Sequence, residues 1–191
     1  MPEGWKAIRG WACDLYTNVW VLAVKADDPN VFQIFAAGND YDMVGCGDGN
    51  GAPDWRKPIF PEGIYMKSLV SQGMAAYGID QNDCLWEWGD LKVKNIDSMG
   101  EKLWEKANPN AEERRSTPKK IVWFQNHNKT PVKAASGNSW AMIQARDNES
   151  GALELYGWCE SAKDGRFGSN TKDVYGEKFV LVGSEINHND V

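Results

Sequence analysis

The sequence predicts an all-β chain built from one hairpin used three times. Three observations carry that reading. Ten Trp and nineteen Gly among 191 residues favour short strands, tight turns and large packing anchors over long helices. An apolar run, an Asx-rich turn and a returning run closed by glycine recur three times in that order. The hairpins also keep their size: from the large apolar residue that opens each one to its closing glycine is 18, 15 and 17 residues. The closing glycines themselves lie 51 and then 68 apart. A conserved unit length with variable spacing is what a packed repeat with free loops produces; unrelated hairpins of a single β-sandwich are the alternative.

Taken in order, the chain starts with a terminal strand near Trp5–Ile8. The first hairpin runs Thr17–Val24, turns at Asp27-Asp28-Pro29-Asn30 and returns over Val31–Gly38. In the returning run Val31, Gln33 and Phe35 alternate with Phe32 and Ile34, the period of a strand. Gly/Asp-rich sequence through Gly51 and a short run at Lys57-Pro58-Ile59 follow. The second hairpin runs Gln72–Ile79, turns at Asp80–Asp83 and returns over Cys84–Gly89. Leu103–Arg115 is dense in charge and carries Asn108-Pro109, so it reads as a surface insertion with one helical turn before Asn108. The pattern resumes at Thr117–Val122. A strand at Val132–Gly137 leads into the third hairpin, Gly137–Ile143, with its turn at Asp147–Gly151 and its return at Leu153–Gly157. After the loop Gly165-Arg166-Phe167-Gly168, Phe179–Val182 reads as the opening strand of a unit whose hairpin does not follow. The whole chain, 1–191, is thus one repeat domain with units at about 4–58, 59–121 and 122–182 and a tail at 183–191.

Composition narrows the function classes. With 42% hydrophobic and 25% charged residues the chain can bury a core and is not disordered. Twenty-seven acidic residues against 21 basic ones give a net charge of −6. Arg114-Arg115 and Lys119-Lys120 are the basic clusters, too few to outweigh that balance, so nucleic acid is not an expected partner. Cys13, Cys46, Cys84 and Cys159 form no CxxC pair, and His127 and His188 are the only histidines; a zinc site lacks its spacing, and small buried hydrophobes are the expectation. Asp40, Asp42 and Asp48 with Gly45, Gly47 and Gly49 suggest a calcium loop. Val44 stands where that loop needs an oxygen ligand, however, and Gly51 where it needs a Glu. No metal and no cofactor are expected. The start, Met1-Pro2-Glu3-Gly4-Trp5, lacks the charged-then-apolar pattern of a signal peptide, and no run approaches a membrane span. An intracellular, cytoplasmic protein is the expectation.

Catalytic residues do not assemble in the sequence. His127 lies in the polar run Gln125–Lys129 and His188 in the tail, neither placed as a cleft-lining base. The tryptophans divide instead. Trp20, Trp86, Trp88, Trp140 and Trp158 lie in or beside hairpin strands as packing anchors. Trp55, Trp104 and Trp123 lie in or beside connections and are the candidate partner contacts, since an aromatic in a polar rim often forms a hot spot.

The order of these pieces resembles the repeat of the regulator of chromosome condensation family. The matching parts are Thr117–Ile121, Val132–Gly137 with the hairpin after it, the Trp88-Gly89-Asp90 close and the Gly165–Gly168 loop. Departures are visible: Thr17 and Ser71 replace the family's glycine near the hairpin start, and Trp20, Met74 and Trp140 stand near its histidine. The resemblance implies a β-propeller of four-stranded antiparallel blades. The family's ring typically closes with seven, and about three are present here, so the expectation is an incomplete propeller with open strand edges. Those edges and loops imply protein partners, including a second copy of the chain, and a non-enzymatic scaffold or interaction module within a larger assembly. Guanine-nucleotide exchange on a small GTPase, which the family allows, and sugar binding by a tryptophan-rich propeller lectin are the alternatives.

Overall fold

The computed structural model describes residues 1–12, 18–38, 45–46, 52–72, 75–90, 114–137, 140–159 and 180–184. Twelve strands and one short helix make three antiparallel four-stranded sheets. The first holds β1 (Trp5–Ala12), β2 (Val19–Lys25), β3 (Asp28–Gly38) and β4 (Ala52–Arg56). The second holds β5 (Met66–Gln72), β6 (Ala75–Asp80), β7 (Leu85–Asp90) and β8 (Arg114–Ile121). A single turn of helix, α1 (Trp123–Asn126), leads to the third: β9 (Lys129–Gly137), β10 (Trp140–Asp147), β11 (Leu153–Cys159) and β12 (Val180–Ser184). In each sheet the strands pair in chain order, and the predicted hairpins are the two central strands.

Strand alternation explains how the sheets stack. Trp20 and Leu22 of β2 share a face with their cross-strand partners Ala36 and Ile34. That face meets Met66, Leu69, Ala76, Trp86 and Trp88 of the second sheet in one apolar cluster. The second sheet's other face carries Tyr77, Ile79, Leu85 and Ile121, which pack on Ala134, Ala141, Ile143, Ala145 and Tyr156 of the third. The middle sheet is therefore buried on both sides, and its two central strands, β6 and β7, are apolar but for Asp80, Glu87 and Asp90. Strands β1, β5 and β9 lie beside one another, so the three sheets fan from an inner edge, and β4, β8 and β12 form the outer edges. The arrangement is that of three blades of a β-propeller, not a closed ring and not a two-sheet sandwich.

Several details differ from expectation. Val180–Ser184 does not open a new unit. It pairs antiparallel with β11, with Gly157 opposite Val180 and Glu154 opposite Ser184, and completes the third blade. A strand whose partner lies more than twenty residues upstream carries no local sign of that pairing. The first hairpin turns at Ala26-Asp27, and Asp28 already belongs to β3; a bulge between Val24 and Lys25 accommodates Pro29, which has no ladder donor. The run read as Gln72–Ile79 is two strands, because β5 ends at Gln72 and β6 starts at Ala75. Arg114 and Arg115 pair with Asp90 and Gly89 as the start of β8, so they are blade rather than insertion; the rest of Leu103–Arg115, the helical turn before Asn108 and the Asp40/Asp42/Asp48 loop lie outside the described residues. Cys46 and Cys84 are buried thiols that take part in no disulfide. Among the described residues no helix is long and apolar enough to cross a membrane.

Candidate interaction surface

Each sheet ends on an outer strand with no described neighbour, so β4, β8 and β12 present a row of backbone donors and acceptors to whatever lies alongside. Of the three tryptophans read as partner contacts, Trp55 is half-buried in β4, one residue before Arg56, which pairs with Ala36. Alternation places it on the face of the first sheet that carries Phe35, away from the second sheet. Trp123 opens α1, also half-buried. Its indole stacks on the exposed His127 ring at 4.1 Å and meets Phe124 and Tyr156 edge-on at 5.0 and 5.4 Å. His127 Nδ1 lies 2.8 Å from the Trp123 carbonyl oxygen. Trp123 thus lids the second core cluster while one ring face is covered only by a surface histidine. Trp104 lies outside the described residues. Trp55 lies in the first sheet and Trp123 in α1, between the second and third sheets, and the structure does not join them into one site.

Trp20, Trp86 and Trp88 are packing anchors between the first two sheets, where Phe60 meets Trp86 and Trp88 edge-on at 5.6 Å each. The side chains of Trp140 and Trp158 lie outside the described set. Sequence reading passed over a groove of about 480 Å³ between β3 and the link to β5. Phe32 and Tyr65 stack across it at 4.8 Å, and Phe60, Ile64 and Val31 line it beside Lys57 and Glu62. Its only sequence signal was the aromatic, proline-rich run Pro58–Tyr65.

Polar groups at the hairpin turns are tightly organised. Asp80, fully buried at the second hairpin turn, accepts from the Asn82 and Cys84 amides at 2.8 and 2.9 Å and from the Trp86 indole at 2.8 Å. Asp147, its counterpart in the third hairpin, accepts from the Glu149 and Ser150 amides and from Lys129 Nζ at 2.5 Å. Lys129 also reaches Glu154 at 2.6 Å, and the Tyr156 hydroxyl donates to Glu154 at 2.5 Å. The Lys129 and Ser150 contacts hold the Asp147 carboxyl well below the usual carboxylate range. Burial alone would lower the Lys129 ammonium, but its bonds to Asp147, Glu154 and Tyr156 raise it well above its ordinary value. Burial, with Glu154 alongside, pushes the Tyr156 phenol up to about 12. Each of these groups is answered by a partner within the third blade.

No family model and no curated protein matches the sequence; solved structures do. Human WBSCR16 superposes with a TM-score of 0.54 over 83% of this chain and 34% of that one, at 14% identity. Yeast RCC1 (Prp20), in its crystal structure bound to Kap60, gives 0.53 over 90% of this chain and 36% of that one, also at 14% identity. Prp20p from Saccharomyces cerevisiae, in the structure described with its binding to Gsp1p and histones, gives 0.51 over 90% and 37%, at 15% identity. The chain spans about a third of the length of each. Its fold is that of RCC1-like β-propeller repeats, three blades long.

Proposed function

We propose that this chain is a non-enzymatic protein-interaction module that docks partners along the open edges of its blades and the loops beside them. One observation carries the reading: three blades stack without closing on themselves, so among the described residues each outer strand has a strand neighbour on one side only, next to half-buried aromatic residues. Strand addition to such an edge gives affinity through main-chain hydrogen bonds and specificity through neighbouring side chains. Trp55, Trp104 and Trp123 are the aromatic contacts in this reading. The partners are other proteins, a second copy of the chain included, in an intracellular and most simply cytoplasmic setting. Prp20 has been crystallised with Kap60 and studied for binding to Gsp1p and histones, and that precedent supports a protein rather than a small molecule as the ligand.

The test is assembly. Val180 pairs with Gly157 on the outer strand of the third blade, and Val180→Pro removes its amide donor. Light scattering on the purified chain is expected to give a mass above the monomer, or a complex with a co-purified protein, and the substitution is expected to reduce that mass while the cooperative melt persists. A monodisperse monomer whose state ignores the substitution contradicts the proposal.

A further inference from the structure

The strands at the inner edge share two features. Strands β1, β5 and β9 together carry Lys6, Arg9, Lys67, Lys129 and Lys133 and not one carboxylate, in a chain whose net charge is −6. Each also contains a single bulge against its neighbour: between Ala7 and Arg9, between Met66 and Ser68, and at Val132, between Pro131 and Lys133. A bulge turns the extra residue out of the ladder and re-aims its side chain. The three bulged residues are Ile8, Lys67 and Val132. Ile8 and Val132 are among the most exposed large hydrophobics, at 50% and 39%. Each is followed directly by an exposed cation, Arg9 and Lys133.

The bulges are neighbours in space. Arg9 Nη1 donates to the Lys67 carbonyl oxygen at 2.6 Å, tying the first bulge to the second, and β5 lies beside β9. Two of the five cations are already answered: Lys67 by Asp83, and Lys129 by Asp147 and Glu154. Lys6, Arg9 and Lys133 are exposed with no carboxylate partner among the described residues. The inner edge thus presents alternating apolar and cationic side chains, with positive charge left over.

Resting on the reading of the chain as an interaction module, we infer that this inner-strand surface binds an acidic, apolar-containing peptide segment of a partner protein. Glu or Asp side chains would answer Lys6, Arg9 and Lys133, and Leu- or Ile-type side chains would cover Ile8 and Val132. A nucleic acid fits less well. Its phosphates would leave Ile8 and Val132 uncovered, and the acidic remainder of the chain opposes a long polyanion.

The experiment is fluorescence anisotropy with a short labelled peptide of Glu and Leu. The comparison probes are the same peptide with Gln for Glu, and a labelled oligothymidine. Wild type is expected to bind the Glu/Leu peptide in preference to both, more weakly as salt rises. Arg9→Glu with Lys133→Glu is expected to weaken binding by about tenfold or more. Lys119→Glu with Lys120→Glu, the same charge change on β8, is expected to leave it nearly unaltered. A cooperative thermal melt for each variant keeps folding out of the comparison. No binding by wild type, equal weakening by both double variants, equal binding of the Gln peptide, or preference for oligothymidine overturns the inference. The assembly measurement on Val180→Pro reads the edges separately: loss of peptide binding with edge-dependent assembly intact refutes this surface alone.

Discussion

The two interfaces of the middle blade solve the same packing problem in different ways. Against the first blade it uses bulk: Trp20 and Trp88 are fully buried with ring centroids 6.4 Å apart, and Phe60 wedges against Trp86 and Trp88. Against the third it uses small side chains, with Ala134, Ala141 and Ala145 around Ile143 and Tyr156, and Tyr156 ties that face to an ionic knot inside the third blade. The hairpin turns show the same split. Asp80 is answered by backbone amides and an indole, whereas Asp147 is answered by amides and a lysine. One repeat therefore tolerates two kinds of interface, as long as alternation presents one matched face to each neighbour.

The largest expected effect falls on the tryptophan interface. Trp88→Ala opens a cavity where no solvent reaches, and should cost about 3–5 kcal/mol in urea unfolding. A loss near that of a surface substitution would show that the first two blades do not depend on this contact. Asp80→Ala comes next. It strips the acceptor from the Trp86 indole and from two amides in a buried turn, and each unsatisfied buried donor costs about 1–3 kcal/mol. Gly78→Ala sharpens the picture from the other side. An added Cβ would sit 2.5 Å from Met66 Sδ and 3.1 Å from its Cγ, so overpacking of about 1–3 kcal/mol is expected, reduced as far as Met66 can swing away.

The ionic knot within the third blade should answer to pH where the tryptophan interface does not. Asp147 titrates below its ordinary value of 3.8 in the folded chain. Its contribution is therefore fully present above about pH 4 and is lost as pH falls below that. Tyr156 works in the opposite direction. Its phenol rises from 10.0 to about 12, so folding favours the neutral form, and that stability is present below pH 10 and fades between pH 10 and 12. Lys129→Met should lower the melting temperature less than Trp88→Ala and flatten the acid limb of the stability–pH curve, because Lys129 is the chief partner that holds Asp147 down. An unchanged acid limb would mean that the knot is not coupled to folding. The smallest effect is expected at the exposed Ile59, 53% accessible, where Ile59→Ser should stay within about 0.5 kcal/mol.

How much of this was legible depended on whether the signal was local. The three central hairpins were, because alternation and Asx turns are written within a few residues. The break between β5 and β6 was not: Ser71-Gln72-Gly73 is a short polar stretch without Pro, Asn or Asp, and Met74 opens an apolar run straight after it. Four residues of α1 carry no start or stop signal, and Val122, at its N-cap, makes no side-chain cap. Strand β12 was misplaced because its partner lies across a long connection. The inner-edge bulges were out of reach for the same reason, since a bulge is a fact about register between two strands. The absence of carboxylates from Trp5–Ala12, Met66–Gln72 and Lys129–Gly137 was readable once those boundaries were known. Trp123 was singled out correctly as lying beside a connection, yet its partners His127 and Tyr156 came only from the fold.

The packing and the docking surfaces both depend on the middle blade being sandwiched and the outer strands being edges. Hydrogen–deuterium exchange on the isolated chain, read strand by strand, tests that most directly. The amides of β6 and β7 should exchange slowest, because they pair on both sides and both faces of their sheet are covered, and those of β12 and β4 should exchange much faster. Protection of β12 and β4 equal to or above that of β6 and β7 would contradict a three-blade stack with open edges.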